Sequence, residues 1–80
     1  MLIEYIGAAM RHARFEYLDE DRTYYGEIPE FQGVWGDGET MDECRRVLQE
    51  VLEDWLVFRI SRRLPLPTVD GIELRIPEPA

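Results

Sequence analysis

Thr40-Met41-Asp42-Glu43-Cys44-Arg45-Arg46-Val47-Leu48-Gln49-Glu50-Val51-Leu52-Glu53-Asp54-Trp55-Leu56 is the stretch that decides the fold. Thr40 followed three residues later by Glu43 is a capping box, in which each side chain takes a backbone N–H of the first turn. Met41, Cys44, Val47, Leu48, Val51, Leu52, Trp55 and Leu56 then recur at three- and four-residue steps. The spacing predicts one long amphipathic helix from Thr40 to about Arg63 with a single apolar stripe. Charge placement agrees: Asp42 and Glu43 sit at the positive end of the helix dipole, and Arg59, Arg62 and Arg63 near the negative end. At ~1.5 Å per residue such a helix is roughly 35 Å long. That exceeds what a small domain can cover, so its last turn is expected to project or to pack on a second subunit.

The stripe needs a partner, and the flanking segments alternate with period two, which makes that partner a sheet. Ahead of them, Leu2, Ile3, Ile6, Ala9 and Met10 fall at helical spacing and predict a short helix over residues 2–11. From His12 the period changes: Ala13, Phe15 and Tyr17 point one way and Arg14, Glu16 and Leu18 the other. The run Asp19-Glu20-Asp21 turns the chain into a second strand over 22–28, ended by Pro29, so the two form a hairpin. Gly33 to Gly36 fit a short third strand, and Gly36-Asp37-Gly38 is expected to make a tight turn into Thr40. After the helix, Pro65-Leu66-Pro67 is a stiff connector, and Ile72, Leu74 and Ile76 alternate with Glu73 and Arg75 in a fourth strand. The fold expected is α+β: a single two-layer domain over residues 1–80, with an N-terminal helix and then βββαβ, the long helix packed on a small antiparallel-containing sheet.

Eighty residues allow one core but no cleft between domains, which favours binding over catalysis. Nine basic and seventeen acidic residues give a net charge of −8, which repels phosphate backbones and points to a basic partner rather than to nucleic acid. The lone Cys44 makes no internal disulfide, and neither a secretory leader nor a membrane-spanning segment is indicated, so a cytoplasmic protein is expected.

The block Tyr24-Tyr25-Gly26-Glu27-Ile28-Pro29, then Gly33-Val34, then Gly38-Glu39-Thr40-Met41-Asp42-Glu43-Cys44 resembles the signature of HicB-like antitoxin domains. In that family a strand ending in Ile-Pro is followed by a Gly and then by a Gly-x-Thr-x-x-Glu-Ala helix start. Gly38, Thr40 and Glu43 match, Cys44 stands in place of the Ala, and Pro65-Leu66-Pro67 resembles the proline pair after the helix. The resemblance spans roughly residues 12 to 76. It implies a partial ribonuclease-H-like fold and an antitoxin role in a type II toxin-antitoxin system, in which the domain covers the active surface of a small basic RNA-cleaving toxin of the HicA type. Many members of that family also carry a ribbon-helix-helix or helix-turn-helix module that binds the operon's promoter. None fits within these residues, so promoter binding by this chain alone is not expected.

No residue reads as catalytic. His12 has no second histidine and no nucleophile beside it in sequence, and a strand-start histidine on the surface explains it. Cys44 lies on the apolar stripe and reads as core. Asp19-Glu20-Asp21 and Asp37-Gly38-Glu39 would suit the two magnesium ions of a ribonuclease-H-like enzyme only if they converged, and turn chemistry accounts for both. No metal or cofactor is therefore expected. Trp35 sits on a short strand where Val34 points to the other face, so one of these two apolar side chains is available either to a partner or to the cover of the N-terminal helix.

The expected partner-binding residues are Asp19, Glu20, Asp21, Glu27, Glu30, Trp35, Asp37 and Glu39. Leu56, Val57, Phe58 and Ile60 crowd more than one side of the helix and are the expected self-association residues of a dimer or higher oligomer. Two alternatives remain beside the antitoxin: a stand-alone homo-oligomer without a toxin, and a vestigial metal-dependent nuclease.

Overall fold

A computed structural model of the chain describes residues 2–74. Helix α1 spans Leu2–Arg11, strands β1, β2 and β3 span Arg14–Leu18, Thr23–Glu27 and Trp35–Gly38, and helix α2 spans Met41–Ser61. The strands form one antiparallel sheet in the order β1-β2-β3. This is the α+β domain the periodicities predict: a helix, a meander and a long helix laid on the sheet.

Thr40 caps α2 through one half of the expected box: its hydroxyl accepts from the Glu43 amide at 3.1 Å, which satisfies one of the helix's orphan N–H groups. At the other end Arg63 takes a left-handed conformation with φ 55. Its amide donates to Ile60 and that of Leu64 to Arg59, the paired closure usually made by a glycine. The stripe is also as read. Cys44, Leu48, Leu52 and Leu56 are buried, and Val51 and Trp55 pack half-buried against the core.

The surface that meets the stripe is only partly a sheet. The cluster that buries Leu48, Leu52 and Leu56 is completed by Tyr5, Ala8 and Ala9 of α1, by Ile28, Phe31 and Val34 of the β2–β3 connection, and by Val69. Edge-on aromatic contacts run from Tyr5 to Phe31 (6.1 Å) and from Phe31 to Trp55 (5.0 Å), a favoured geometry for ring quadrupoles. The Tyr5 hydroxyl donates to the Pro67 carbonyl at 2.6 Å, so the proline connector is fastened to α1.

The third strand corrects the sequence reading. It begins two residues later than expected, because the chain first folds a compact turn closed by Val34 donating to Phe31 and Ile28 to Val34, with Gly33 at φ 88. Gly36 and Gly38 are strand residues, not the corners of a turn. With Gly26 they lie on the face toward α2, where a Cβ on Gly36 would sit 3.0 Å from the Leu48 amide nitrogen. The glycines are there because helix and sheet backbones nearly touch.

The expected fourth strand lies partly outside the described residues, which exclude 75 and 76. Within them Ile72 pairs only with Val69, across a turn with Asp70 at φ 50 and Gly71 at φ 76, and 73–74 are not in a strand. Among the described residues no helix is long and apolar enough to cross a membrane.

Candidate functional site

With α2 and its glycine contacts on one face, the alternate residues of each strand point to the other. Register places Arg14, Glu27 and Trp35 in one row across the sheet and Glu16, Tyr25 and Asp37 in the next. Because Ile28 donates to Val34, alternation along the antiparallel pair puts Glu27 opposite Trp35, and Tyr25 opposite Asp37, at non-hydrogen-bonded positions, where side chains approach most closely. Four side chains thus make a square. The aromatic diagonal is a stack, with Tyr25 and Trp35 rings 5.8 Å apart and inclined by 28°. The carboxylates Glu27 and Asp37 occupy the other diagonal.

Trp35 is 52% exposed while Val34 is 2% exposed, so of the two apolar neighbours it is Trp35 that faces outward. The Tyr25 hydroxyl donates to Glu27 at 3.4 Å. Partial burial first, then the negative charge and hydrogen bond of Glu27, then Glu16, push its pKa up, all three disfavouring the phenolate.

The other expected partner-binding residues distribute around this square. Asp19, Glu20 and Asp21 are exposed in the β1–β2 turn. Thr23, at the foot of that turn, donates through its hydroxyl to the Gly38 carbonyl at 2.9 Å, which brings the turn to the same end of the sheet as exposed Glu39. Glu30 lies elsewhere: it is bonded to His12 beside the turn that holds Asp70. Sequence reasoning left out Glu16 and Tyr25, although counting back from the turn at residues 19–22 pairs them and puts both on the outward face.

Leu56 is 2% exposed and already used in the core, and Ile60 is half-buried. That leaves Val57 at 67% and Phe58 at 52% exposure as the open part of the expected self-association surface. Cys44 is fully buried with its thiol directed at the Gly36 carbonyl, 3.7 Å away, and burial, then the charge of Asp37, pushes its pKa up, away from the reactive thiolate. Among the described residues no three His, Cys, Asp or Glu side chains gather as a metal-holding group.

His12, read as a bare surface histidine, instead joins three segments. Its Nδ1 meets Glu30, and its Nε2 meets Asp70 Oδ1 at 2.7 Å, with Arg11 3.7 Å from the same Asp70 carboxylate. Hydrogen bonds to Asp70 first and Glu30 second hold the imidazolium above the ordinary histidine range. The Glu30 carboxyl is lowered by its own backbone amide and then by His12. A raised histidine pKa contributes stability in full below the unfolded value of about 6.5, and that contribution disappears as pH rises through the folded value. Amide protection of 66–72 is therefore expected to fall as pH rises above the ordinary histidine range, and His12→Gln should flatten that dependence. Identical hydrogen-exchange profiles for parent and variant across that range would remove the clasp from the account.

Fold and face together define a small acidic α+β domain whose long helix lies over β2 and β3 on one side of a three-stranded sheet, with α1 packed on that helix, and whose other sheet face is open, aromatic and carboxylate-rich. The chain belongs to the UPF0150-like family, whose model matches residues 4–67. A UPF0150 protein of Synechocystis sp. (strain ATCC 27184 / PCC 6803 / Kazusa) is 43% identical over 35 residues, 44% of this chain and 51% of that relative, so the chain spans about half the relative's length. The crystal structure of TTHA0281 from Thermus thermophilus superposes with a TM-score of 0.90 at 40% identity, covering 96% of this chain and 95% of the other.

Proposed function

We propose that this chain is a HicB-like antitoxin module that neutralises a small basic RNA-cleaving toxin by lying over its phosphate-gripping surface. The observation that carries the reading is the outward sheet face, where Glu16, Glu27 and Asp37 surround the stack of half-buried Tyr25 and exposed Trp35 on an antiparallel scaffold. The UPF0150-like membership and the HicB-like motif block support it. A toxin of this kind must be basic where it holds RNA, so a competitor for that surface does best with carboxylates around an apolar anchor.

The test is co-expression with a short basic protein encoded beside this gene, followed by association kinetics. The association rate should fall steeply as salt rises, and Asp37→Arg with Glu39→Arg should lower it more than they shorten the residence time. An association rate indifferent to both salt and reversal would count against the acidic face, and the absence of any complex against the antitoxin reading.

A stand-alone homo-oligomer is favoured by a separate observation, the exposure of Val57 and Phe58 on the last turns of α2. A second copy laid along those turns would cover them. Sedimentation equilibrium should then give a dimer or larger mass that Phe58→Glu reduces to the monomer. A monomer mass for the parent at micromolar concentration would end that reading.

A further inference from the structure

The outward square of Tyr25, Trp35, Glu27 and Asp37 has a chemistry more specific than negative charge. Its aromatic diagonal offers ring faces, above all that of half-exposed Trp35, and its carboxylates stand on both sides of that diagonal, one on each strand. A guanidinium suits both features. It is planar, weakly hydrated, stacks on aromatic faces and presents a fork of N–H donors, whereas an ammonium is a compact, strongly hydrated point charge.

The molecule already uses this pairing elsewhere. The guanidinium of Arg45 lies 5.6 Å from the Phe15 ring centre, that of Arg59 4.8 Å from Trp55 and that of Arg62 5.0 Å from Phe58. Among the described residues, no guanidinium of the chain lies over Tyr25 or Trp35. Arg14, the basic residue on this face, sits across Glu27 from Trp35, at the far strand of the same row.

We infer that this square is an arginine-reading subsite, which selects a basic partner presenting an exposed arginine over one presenting lysines at the same net charge. The inference rests on the outward face being the partner-binding surface, and it adds the side chain recognised there. The incoming guanidinium lies over the Trp35–Tyr25 diagonal with its donors directed to Glu27 and Asp37, paired charge-assisted bonds that an ammonium cannot make in one plane. The occupant follows from charge complementarity: the face is negative on both sides of the aromatic stack, and a second copy of this acidic chain would bring carboxylates against carboxylates.

The test uses the full chain, followed through the Trp35 indole N–H and the Tyr25 amide by NMR. The probes are two synthetic peptides identical but for three arginines in one and three lysines in the other. The arginine peptide is expected to shift both signals and to bind about three- to fivefold more tightly than the lysine peptide. Trp35→Ala, at a half-exposed position where the fold should persist, should erase that preference. Glu20→Gln at the hairpin tip should weaken both peptides alike and preserve it.

Equal affinity for the two peptides, lost together in Glu27→Gln with Asp37→Asn, overturns the arginine assignment and leaves an unselective basic-partner face intact. If neither peptide perturbs Trp35 or Tyr25, both the assignment and the face fail. If the two signals move with protein concentration alone, a second copy occupies the square and the assignment is wrong.

Discussion

Gly38→Ala is expected to be the most damaging single-methyl addition in this chain. The new Cβ would lie 2.6 Å from the Cys44 amide nitrogen and 3.0 Å from its Cα. These are backbone atoms of α2 and cannot rotate aside, so the first turn of the helix must lift from β3. Overpacking usually costs about 1–3 kcal/mol, and a backbone obstacle places this case at about 3 kcal/mol or above. Lifting that turn also disturbs the Thr40 cap two residues on. Gly7→Ala should move the other way by a few tenths to about 1 kcal/mol, since its nearest neighbour is the flexible end of Arg11 at 3.6 Å and alanine is the better helix former. Urea midpoints for the two variants would decide the matter; a Gly38→Ala midpoint equal to the parent's would refute the close approach of helix and sheet.

Leu52→Ala carries the second large effect. Leu52 is 0% exposed at the middle of the α2 stripe, in a core shared by α1, the β2–β3 connection and Val69, so several elements would have to collapse together to fill the space. The expected cost is about 2–5 kcal/mol. For a domain of this size the whole stability is of order 4–12 kcal/mol, so the loss is a large share of it and a marked fall in melting temperature is the expected outcome. Exposed Glu53→Ala should stay within about 0.5 kcal/mol. Calorimetry showing Leu52→Ala as mild as Glu53→Ala would mean the stripe faces another way.

Helix α2 could be read from the chain because its information is local: a cap, a stripe of fixed period and charges matched to its dipole all fall within one segment. The hairpin was legible for the same reason. The role of Gly36 and Gly38 was not, since glycine near a helix start signals a turn just as well as a close approach, and only the position of Leu48 and Cys44 in space separates the two. His12 was misjudged because its partners Glu30 and Asp70 are 18 and 58 residues away, beyond the reach of any spacing rule. Of the candidate site, Trp35, Glu27 and Asp37 were found as an acidic and aromatic mixture, but their arrangement as a square with Tyr25 depends on cross-strand register. Glu30 was grouped with the acidic face by its charge and Leu56 with a self-association surface by apolar crowding on the helix, and each is engaged within its own fold.

The two indoles of this chain lie in opposite surroundings. Trp35 stands half in solvent beside Tyr25 over a negative sheet face, whereas Trp55 is packed edge-on to Phe31 with the Arg59 guanidinium 4.8 Å from its ring. Their fluorescence is therefore separable without labels. Trp35 is expected to emit at the longer wavelength and to be quenched preferentially by caesium, a cation that the carboxylates gather around it, while half-buried Trp55, beside the Arg59 cation, should be quenched less. Occupation of the outward face and loss of the fold thus have distinct optical signatures in one unmodified molecule.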